Sequence, residues 1–113
     1  MATIEEIKTA LNKWIKMLDN PEVAEEFEGF NKTMQFVFTD IDYKLKMIFE
    51  NKTARLEEGY DKNAEMGLET TSDLFVGIAT DEIDPMEAYM SGELITKGSM
   101  DALQRLEVFM DLD

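Results

Sequence analysis

Clustered acidic side chains are the residues of this sequence best suited to acid–base chemistry. Asp81, Glu82, Asp84 and Glu87 lie close together along the chain, and two neighbouring carboxyl groups can exchange a proton with a substrate if one of them is buried. Acids at the start of a helix also complement the helix dipole. Because Asp84 and Pro85 have the order of an N-cap and a first helical residue, we favour this structural role. The sequence therefore predicts that this protein is not an enzyme.

Nucleophilic hydrolysis and metal binding are also poorly supported by the residue types present. The chain has no histidine and no cysteine, so Ser72, Ser91 and Ser99 have no histidine to activate them. The stretch 61–65 alternates polar residues like a calcium loop, but Met66 stands where such a loop needs glycine. We expect no catalytic residue, no metal and no cofactor.

The charge of the chain limits its partners. Twenty-five acidic residues against eleven basic ones give a net charge of -14, which repels phosphate backbones and anionic lipid headgroups. No apolar run approaches the roughly 18 residues of a membrane span. We expect no nucleic acid partner and no stable membrane insertion. The absence of cysteine and of signal-peptide features at the N-terminus favours the cytoplasm.

The elements that must position any site begin with two helices. Thr3 followed by Glu6 forms a capping box, and apolar residues then recur at helical spacing to about residue 18. Asn20 and Pro21 have the order of an N-cap and a first helical residue, which predicts a short second helix.

Strands follow between residues 32 and 70, where the hydrophobic period becomes alternating. Met34, Phe36 and Phe38 share one face of the first strand. Asn51-Lys52 predicts a hairpin turn between the second and third strands. Four strands joined by short connections predict an antiparallel meander.

Three further helices and a fifth strand are predicted after residue 70. Thr70 with Asp73 caps a third helix, and Asp84 with Pro85 begins a fourth that ends at Gly92. Residues 93–97 form a short fifth strand. A last helix begins at Ser99 with Met100, Leu103, Leu106 and Met110 on its apolar stripe. The expected architecture is a single α+β domain over residues 1–113, one sheet with helices on one face.

The methionine content is the feature that bears most directly on function. Nine methionines occur in 113 residues, and methionine is an unbranched, polarizable side chain that adapts to ligands of different shape. A pocket for an apolar molecule would use this property. Methionines at helical spacing also occur in ordinary cores, so composition leaves both interpretations open.

The order of residues from 84 to 103 adds a resemblance to a known family. A proline-opened helix, a small and then an aromatic residue, a glycine, a short strand, a second glycine and a final helix resemble the C-terminal half of the sterol carrier protein 2 family of lipid-binding domains. The residues that carry this likeness are Asp84, Pro85, Ala88, Tyr89, Gly92, Leu94, Gly98 and Met100. The resemblance implies a five-stranded antiparallel sheet backed by about five helices, enclosing an apolar tunnel.

Two departures from the family pattern affect structural expectations. Asp81 stands where the family usually has glycine. Leu94 to Lys97 break the usual apolar alternation of the fifth strand, which leaves open whether Ile95 or Thr96 faces inward.

The predicted function is non-catalytic binding and carriage of a fatty acyl chain, acyl-CoA, phospholipid or sterol-like lipid in the tunnel that the resemblance implies. Met86, Met90, Met100 and Met110 are expected to contribute to its wall. The predicted ligand-binding residues are Phe38, Leu45, Met47, Phe75, Ile78, Tyr89, Met90, Leu103, Leu106 and Met110. The alternative is a protein interaction or homodimerisation module that uses a methionine-rich apolar patch.

Overall fold

The computed structural model describes residues 1–98 together with Gln104 and Val108. The described elements are, in order, α1 (Ile4–Met17), α2 (Pro21–Glu25), β1 (Thr33–Phe38), β2 (Tyr43–Glu50), β3 (Thr53–Glu58), β4 (Met66–Thr70), α3 (Ser72–Ala79), α4 (Pro85–Met90) and β5 (Ile95–Gly98). Gln104 and Val108 are also helical. The rest of the predicted last helix lies outside the described residues.

Most helix starts are where their capping residues predict them. The capping box of Thr3 and Glu6 precedes α1, and the side chain of Asn20 accepts a hydrogen bond from the backbone at the start of α2. The third helix differs by one residue, because Thr71 rather than Thr70 is its N-cap. The Thr70 hydroxyl instead donates to the carbonyl oxygen of Glu93 at 2.9 Å. Each such cap contributes about 1 kcal/mol to helix stability.

The sheet is mixed, which corrects the predicted antiparallel meander. Its strand order is β3-β2-β1-β4-β5, and β4 pairs with β1 in parallel while the other neighbours are antiparallel. The burial of the strands explains this order. β3 alternates between half-buried and exposed residues, as an edge strand does, whereas Met66, Gly67 and Leu68 of β4 are buried in succession. A strand covered on both faces belongs in the interior of the sheet.

A buried glutamine holds the crossover between β3 and β4. Gln35 faces away from the helices, and its side-chain amide donates to the carbonyl oxygens of Leu45 at 3.2 Å and Gly59 at 3.0 Å. Its side-chain oxygen accepts from the backbone amide of Asp61 at 2.7 Å. The crossover segment therefore lies over the outer face of β1.

The hydrophobic core lies between the inner face of the sheet and the helices. Its helical side includes Ile7, Leu11 and Trp14 of α1, which are almost completely buried. The register of β5 places Thr96 opposite Leu68 on this inner face, and Ile95 is accordingly 47% exposed. Within the described part of the chain, no helix is both long and apolar enough to cross a membrane.

Candidate ligand-binding site

A row of three methionines crosses the middle of the inner sheet face. Met34 of β1 is in register with Met47 of β2 on one side and with Met66 of β4 on the other. Each of these side chains is at most 2% exposed. Side chains at paired positions lie on the same face of a sheet, so the three thioethers form one flexible band beneath the helices. We call it the methionine row.

Aromatic rings lie on both sides of the methionine row. Towards one end of β1, Phe75 makes edge contacts with Phe36, Phe38 and Trp14, with ring centroids 5.6, 5.3 and 5.5 Å apart. Towards the other end, the rings of Phe27 and Phe49 stack at 5.2 Å, and Phe30 meets both edge-on. Edge and offset contacts of this kind add about 0.5–1.5 kcal/mol per pair. Aromatic ring contacts therefore border the methionine row on both sides.

The structure brings half of the predicted ligand-binding residues together. Five of them are buried members of the core: Phe38, Leu45, Met47, Phe75 and Ile78. Tyr89 is partly buried against this core. Leu103, Leu106 and Met110 lie outside the described residues, although Val108 of the same segment packs partly against the core.

The methionines of α4 are not placed as expected. Met90 is 78% exposed and Met86 is 38% exposed, because α4 turns Pro85 and Ala88 inward. Among the described residues, the fully buried methionines come instead from the strands, and Met17 of α1 packs partly against the core. Met34 and Met66 were absent from the predicted site, although the same alternation that placed Phe38 inside also places Met34 inside.

A groove between α1 and β3 lies at the edge of this interior. It has a volume of about 410 Å³ and is lined by Lys8, Asn12, Ile15, Leu45, Ala54, Arg55, Leu56 and Glu58. Its apolar wall includes Leu45, which also belongs to the buried core. Leu45 is 0% exposed, so the groove ends at the buried core, and Leu45 lies directly beneath its floor.

Three polar side chains bridge β2, β3 and α1 beside this groove. The hydroxyl of Tyr43 donates to Glu58 Oε2 at 2.6 Å, and Lys8 Nζ lies 3.5 Å from the same oxygen. The hydrogen bond from Tyr43 and the charge of Lys8 lower the pKa of Glu58. Burial, together with the Glu58 carboxylate, raises the pKa of Tyr43 well above its usual value. Because the pKa of Tyr43 is raised and that of Glu58 is lowered, the phenol is neutral and the carboxyl group is charged near neutral pH.

A second groove runs between α1 and α3. Its volume is about 700 Å³, and it is lined by Thr3, Glu5, Glu6, Thr9, Ala10, Lys13, Val76, Ala79 and Thr80. Both grooves are open to solvent. They do not by themselves establish the enclosed tunnel that the resemblance implies, which stays a prediction.

The serine and acidic residues considered for catalysis have structural contacts. Ser72 is fully buried, and its hydroxyl donates to Asp40 Oδ2 at 2.6 Å while accepting from the amide of Ala2 at 3.0 Å. The hydrogen bond from Ser72 lowers the pKa of Asp40. Asp84 accepts from the amide of Met86 at 3.1 Å, as the N-cap of α4. The contacts of Ser72 join the N-terminus, the β1–β2 turn and the start of α3.

The sequence and fold are similar to known proteins. Residues 11–111 match the SCP-2 sterol transfer family. A UbiJ-SCP2 ubiquinone synthesis protein superposes with a TM-score of 0.71 at 14% identity, over 94% of this chain and 90% of that chain. Palmitated SCP2L2 from Aedes aegypti superposes with a TM-score of 0.66 at 14% identity, over 96% and 95% of the two chains.

One similar structure is a much longer enzyme. A double mutant of the sec-alkyl sulfatase PisA1 has a TM-score of 0.67 at 20% identity over 79% of this chain. The match spans only 14% of the sulfatase chain. The comparison with curated proteins gives no match. At these identities, the similar structures show the fold alone.

Proposed function

Because this chain belongs to the SCP-2 sterol transfer family, we propose that it binds an apolar ligand between its sheet and its helices and carries it without chemical change. The proposed ligands are fatty acyl chains, acyl-CoA, phospholipids or sterol-like lipids. The Aedes aegypti relative is palmitated, which makes an acyl chain the first ligand to test. We treat residues 1–113 as one lipid-binding domain that acts in the cytoplasm.

The methionine row is the single observation that supports this proposal most strongly. Met34, Met47 and Met66 are buried side by side, and each side chain has three rotatable bonds and a polarizable sulfur. Such side chains can move aside for a guest without breaking backbone hydrogen bonds of the sheet. A leucine or isoleucine row would adapt less, because branched side chains have fewer accessible rotamers.

The α1–β3 groove is the proposed route to the interior. An alkyl chain that passes between Ile15 and Leu56 meets Leu45, which stands next to the methionine row on β2. Each methylene removed from water contributes about 0.8 kcal/mol. Ten methylenes would contribute about 8 kcal/mol before the cost of ordering the ligand and the protein. Chain length would therefore be the main determinant of affinity.

The proposed wall combines sheet and helix residues. Phe38, Leu45, Met47, Phe75 and Ile78 are its members within the buried core, and Met34 and Met66 join them. Tyr89, Leu103, Leu106 and Met110 remain proposed contacts. Met90 faces solvent and is not part of this wall.

We propose no catalytic step. The Ser72 hydroxyl is buried and hydrogen-bonded to Asp40, so it is not available as a nucleophile. The alkylsulfatase shares only a small part of its length with this chain, so its activity does not transfer.

The proposal is tested by extracting the purified protein, identifying copurified lipid by mass spectrometry and titrating a fluorescent fatty acid. The variant that combines Met34→Leu, Met47→Leu and Met66→Leu conserves side-chain volume, so it should fold. It should bind the fatty acid about five- to tenfold more weakly, because branched leucine side chains adapt less readily to a guest than methionine does. A tenfold change corresponds to about 1.4 kcal/mol of binding free energy.

The matched control carries Met86→Leu and Met90→Leu, two similar exchanges on the exposed face of α4. It should bind the fatty acid as tightly as the unaltered protein. If the unaltered protein contains no lipid and shows no saturable binding, the proposed function is wrong. Equal loss in both variants would reject the role of the methionine row.

A further inference from the structure

We propose that the exposed face of α4 is a docking surface for a basic amphipathic helix of a partner protein. This docking function is separate from lipid binding in the interior. It concerns the two methionines that the structure places outside and the charge that surrounds them.

Met86 and Met90 form the apolar centre of this surface. They are four residues apart on α4, so they lie on the same side of the helix, and they are 38% and 78% exposed. The opposite side of α4 buries Pro85 and Ala88. Methionine pairs of this kind adapt to apolar side chains of different shape on a partner helix.

The chain segment that contains α4 carries acidic residues and no basic ones. Residues 63–96 contain eight acidic residues and no lysine or arginine, so all eleven basic residues lie in 1–62 or 97–113. The acidic residues of the segment are Glu65, Glu69, Asp73, Asp81, Glu82, Asp84, Glu87 and Glu93. Asp84, Glu87 and Glu93 are the acids nearest to the two methionines along the chain, and all three are exposed, as is Glu82. Two of these acids are paired with cations from outside the segment, Asp73 with the N-terminal ammonium group at 3.4 Å and Glu69 with Lys97 at 3.7 Å. The acidic charge near the two methionines therefore comes from the acids of residues 81–93.

Charge complementarity selects the occupant of the surface. An apolar centre with an acidic surround fits a helix that carries leucine-like side chains on one face and lysine or arginine beside them. A nucleic acid or an anionic membrane would be repelled. A second copy of this chain would bring the same acidic surround against itself. Because the apolar centre is small, binding should be weak and readily reversible.

Methionine-methyl NMR tests this docking surface on the whole protein. The protein is labelled with ¹³C at the methionine methyl groups, the signals are assigned with single Met→Leu variants, and an amphipathic Leu/Lys peptide of about 18 residues is added. The signals of Met86 and Met90 should shift and saturate. Those of Met34, Met47 and Met66 should not move.

The same spectrum separates this inference from the proposed lipid site. A fatty acid should move the signals of the buried methionine row, whereas the Leu/Lys peptide should move those of α4. Either response can therefore fail without the other.

Two variants and a matched control measure the contributions of the apolar and acidic groups. Met86→Ser with Met90→Ser should weaken peptide binding about tenfold, because apolar anchors dominate such interfaces. Glu82→Gln with Glu87→Gln should weaken it by a factor of about three to ten, since two attractive charges are removed.

The control, Glu22→Gln with Glu25→Gln, makes the same change in net charge on α2 and should leave peptide binding unchanged. Equal weakening by this control would overturn the inference in favour of unspecific attraction. Binding of a Leu/Glu peptide to the same surface would also overturn it. Shifts of Met86 and Met90 caused by anionic phosphatidylglycerol vesicles would assign the surface to membranes instead.

Discussion

At the scale of single residues, the ends of α3 and α4 repeat one backbone arrangement. Asp81 follows α3 with φ 66° and Gly92 follows α4 with φ 85°. In each case the next amide, of Glu82 or Glu93, donates to a carbonyl three residues before the cap, at 2.9 and 3.0 Å. This is the Schellman arrangement, in which glycine is preferred. It gives a physical reason for the glycine that the resemblance leads us to expect where this chain has Asp81.

The variant Asp81→Gly should stabilise the protein by about 0.5–1 kcal/mol, because glycine adopts a positive φ without the steric cost of a Cβ atom. The gain is limited because aspartate tolerates this conformation better than most residues. Urea unfolding measures the change. The reciprocal variant Gly92→Asp should lower the free energy of unfolding by a similar amount, and stabilisation by Gly92→Asp would contradict this interpretation.

At the scale of secondary-structure elements, the crossover between β3 and β4 decides the order of the sheet. The elements themselves follow from local signals, such as the capping box of α1 and the Asn51-Lys52 turn, where both residues have positive φ. The partner of β4 is set by contacts between residues far apart in the chain, and the contact between Gln35 and the crossover is one of them. Local patterns contain no information about such a contact, so the sequence predicted the strand but not its neighbour.

The variant Gln35→Leu tests the contact between Gln35 and the crossover. It removes the acceptor of the Asp61 amide and the donor to the Gly59 carbonyl, so we expect a loss of about 1–3 kcal/mol in the free energy of unfolding. The Asp61 amide should also exchange its hydrogen faster. A control at an exposed position of the same sheet face, Arg55→Gln, should change neither measurement by much. Unchanged exchange at Asp61 in Gln35→Leu would contradict the assigned role.

In the candidate site, the sequence predicted which strand residues face inward but not which face of α4 does. Alternation predicted correctly that Phe38, Leu45 and Met47 face inward. The orientation of α4 was not predictable in this way, because a helix of six residues is too short to display a full hydrophobic stripe. Its exposed Met90 and buried Ala88 were therefore distinguished only by the packing of the helix against the rest of the fold.

At the scale of the whole molecule, the net charge of -14 bears on how a ligand would be delivered. A strongly acidic protein is repelled by anionic bilayers at distances up to about the Debye length, which is about 8 Å at physiological salt. A protein partner that approaches α4 with basic residues would meet no such barrier.

Transfer of a fluorescent fatty acid from the protein to vesicles should therefore become slower as phosphatidylglycerol replaces phosphatidylcholine, if transfer requires contact with the bilayer. If transfer proceeds through free ligand in water, the rate should not depend on the anionic fraction. Stopped-flow fluorescence at low salt measures the rate, and the same series at high salt is the control because salt screens the repulsion. A transfer rate that increases with the fraction of anionic lipid would contradict the predicted repulsion between this protein and the bilayer.

The parallel pairing of β1 with β4 has a consequence for the order of folding. Met34 and Met66 are partners although 32 positions separate them, whereas β1, β2 and β3 are joined by short turns. Closing the longer loop costs more chain entropy, so this step should come later. During synthesis the three-strand unit can assemble first, and its unpaired β1 edge must wait for residues 66–70 to leave the ribosome.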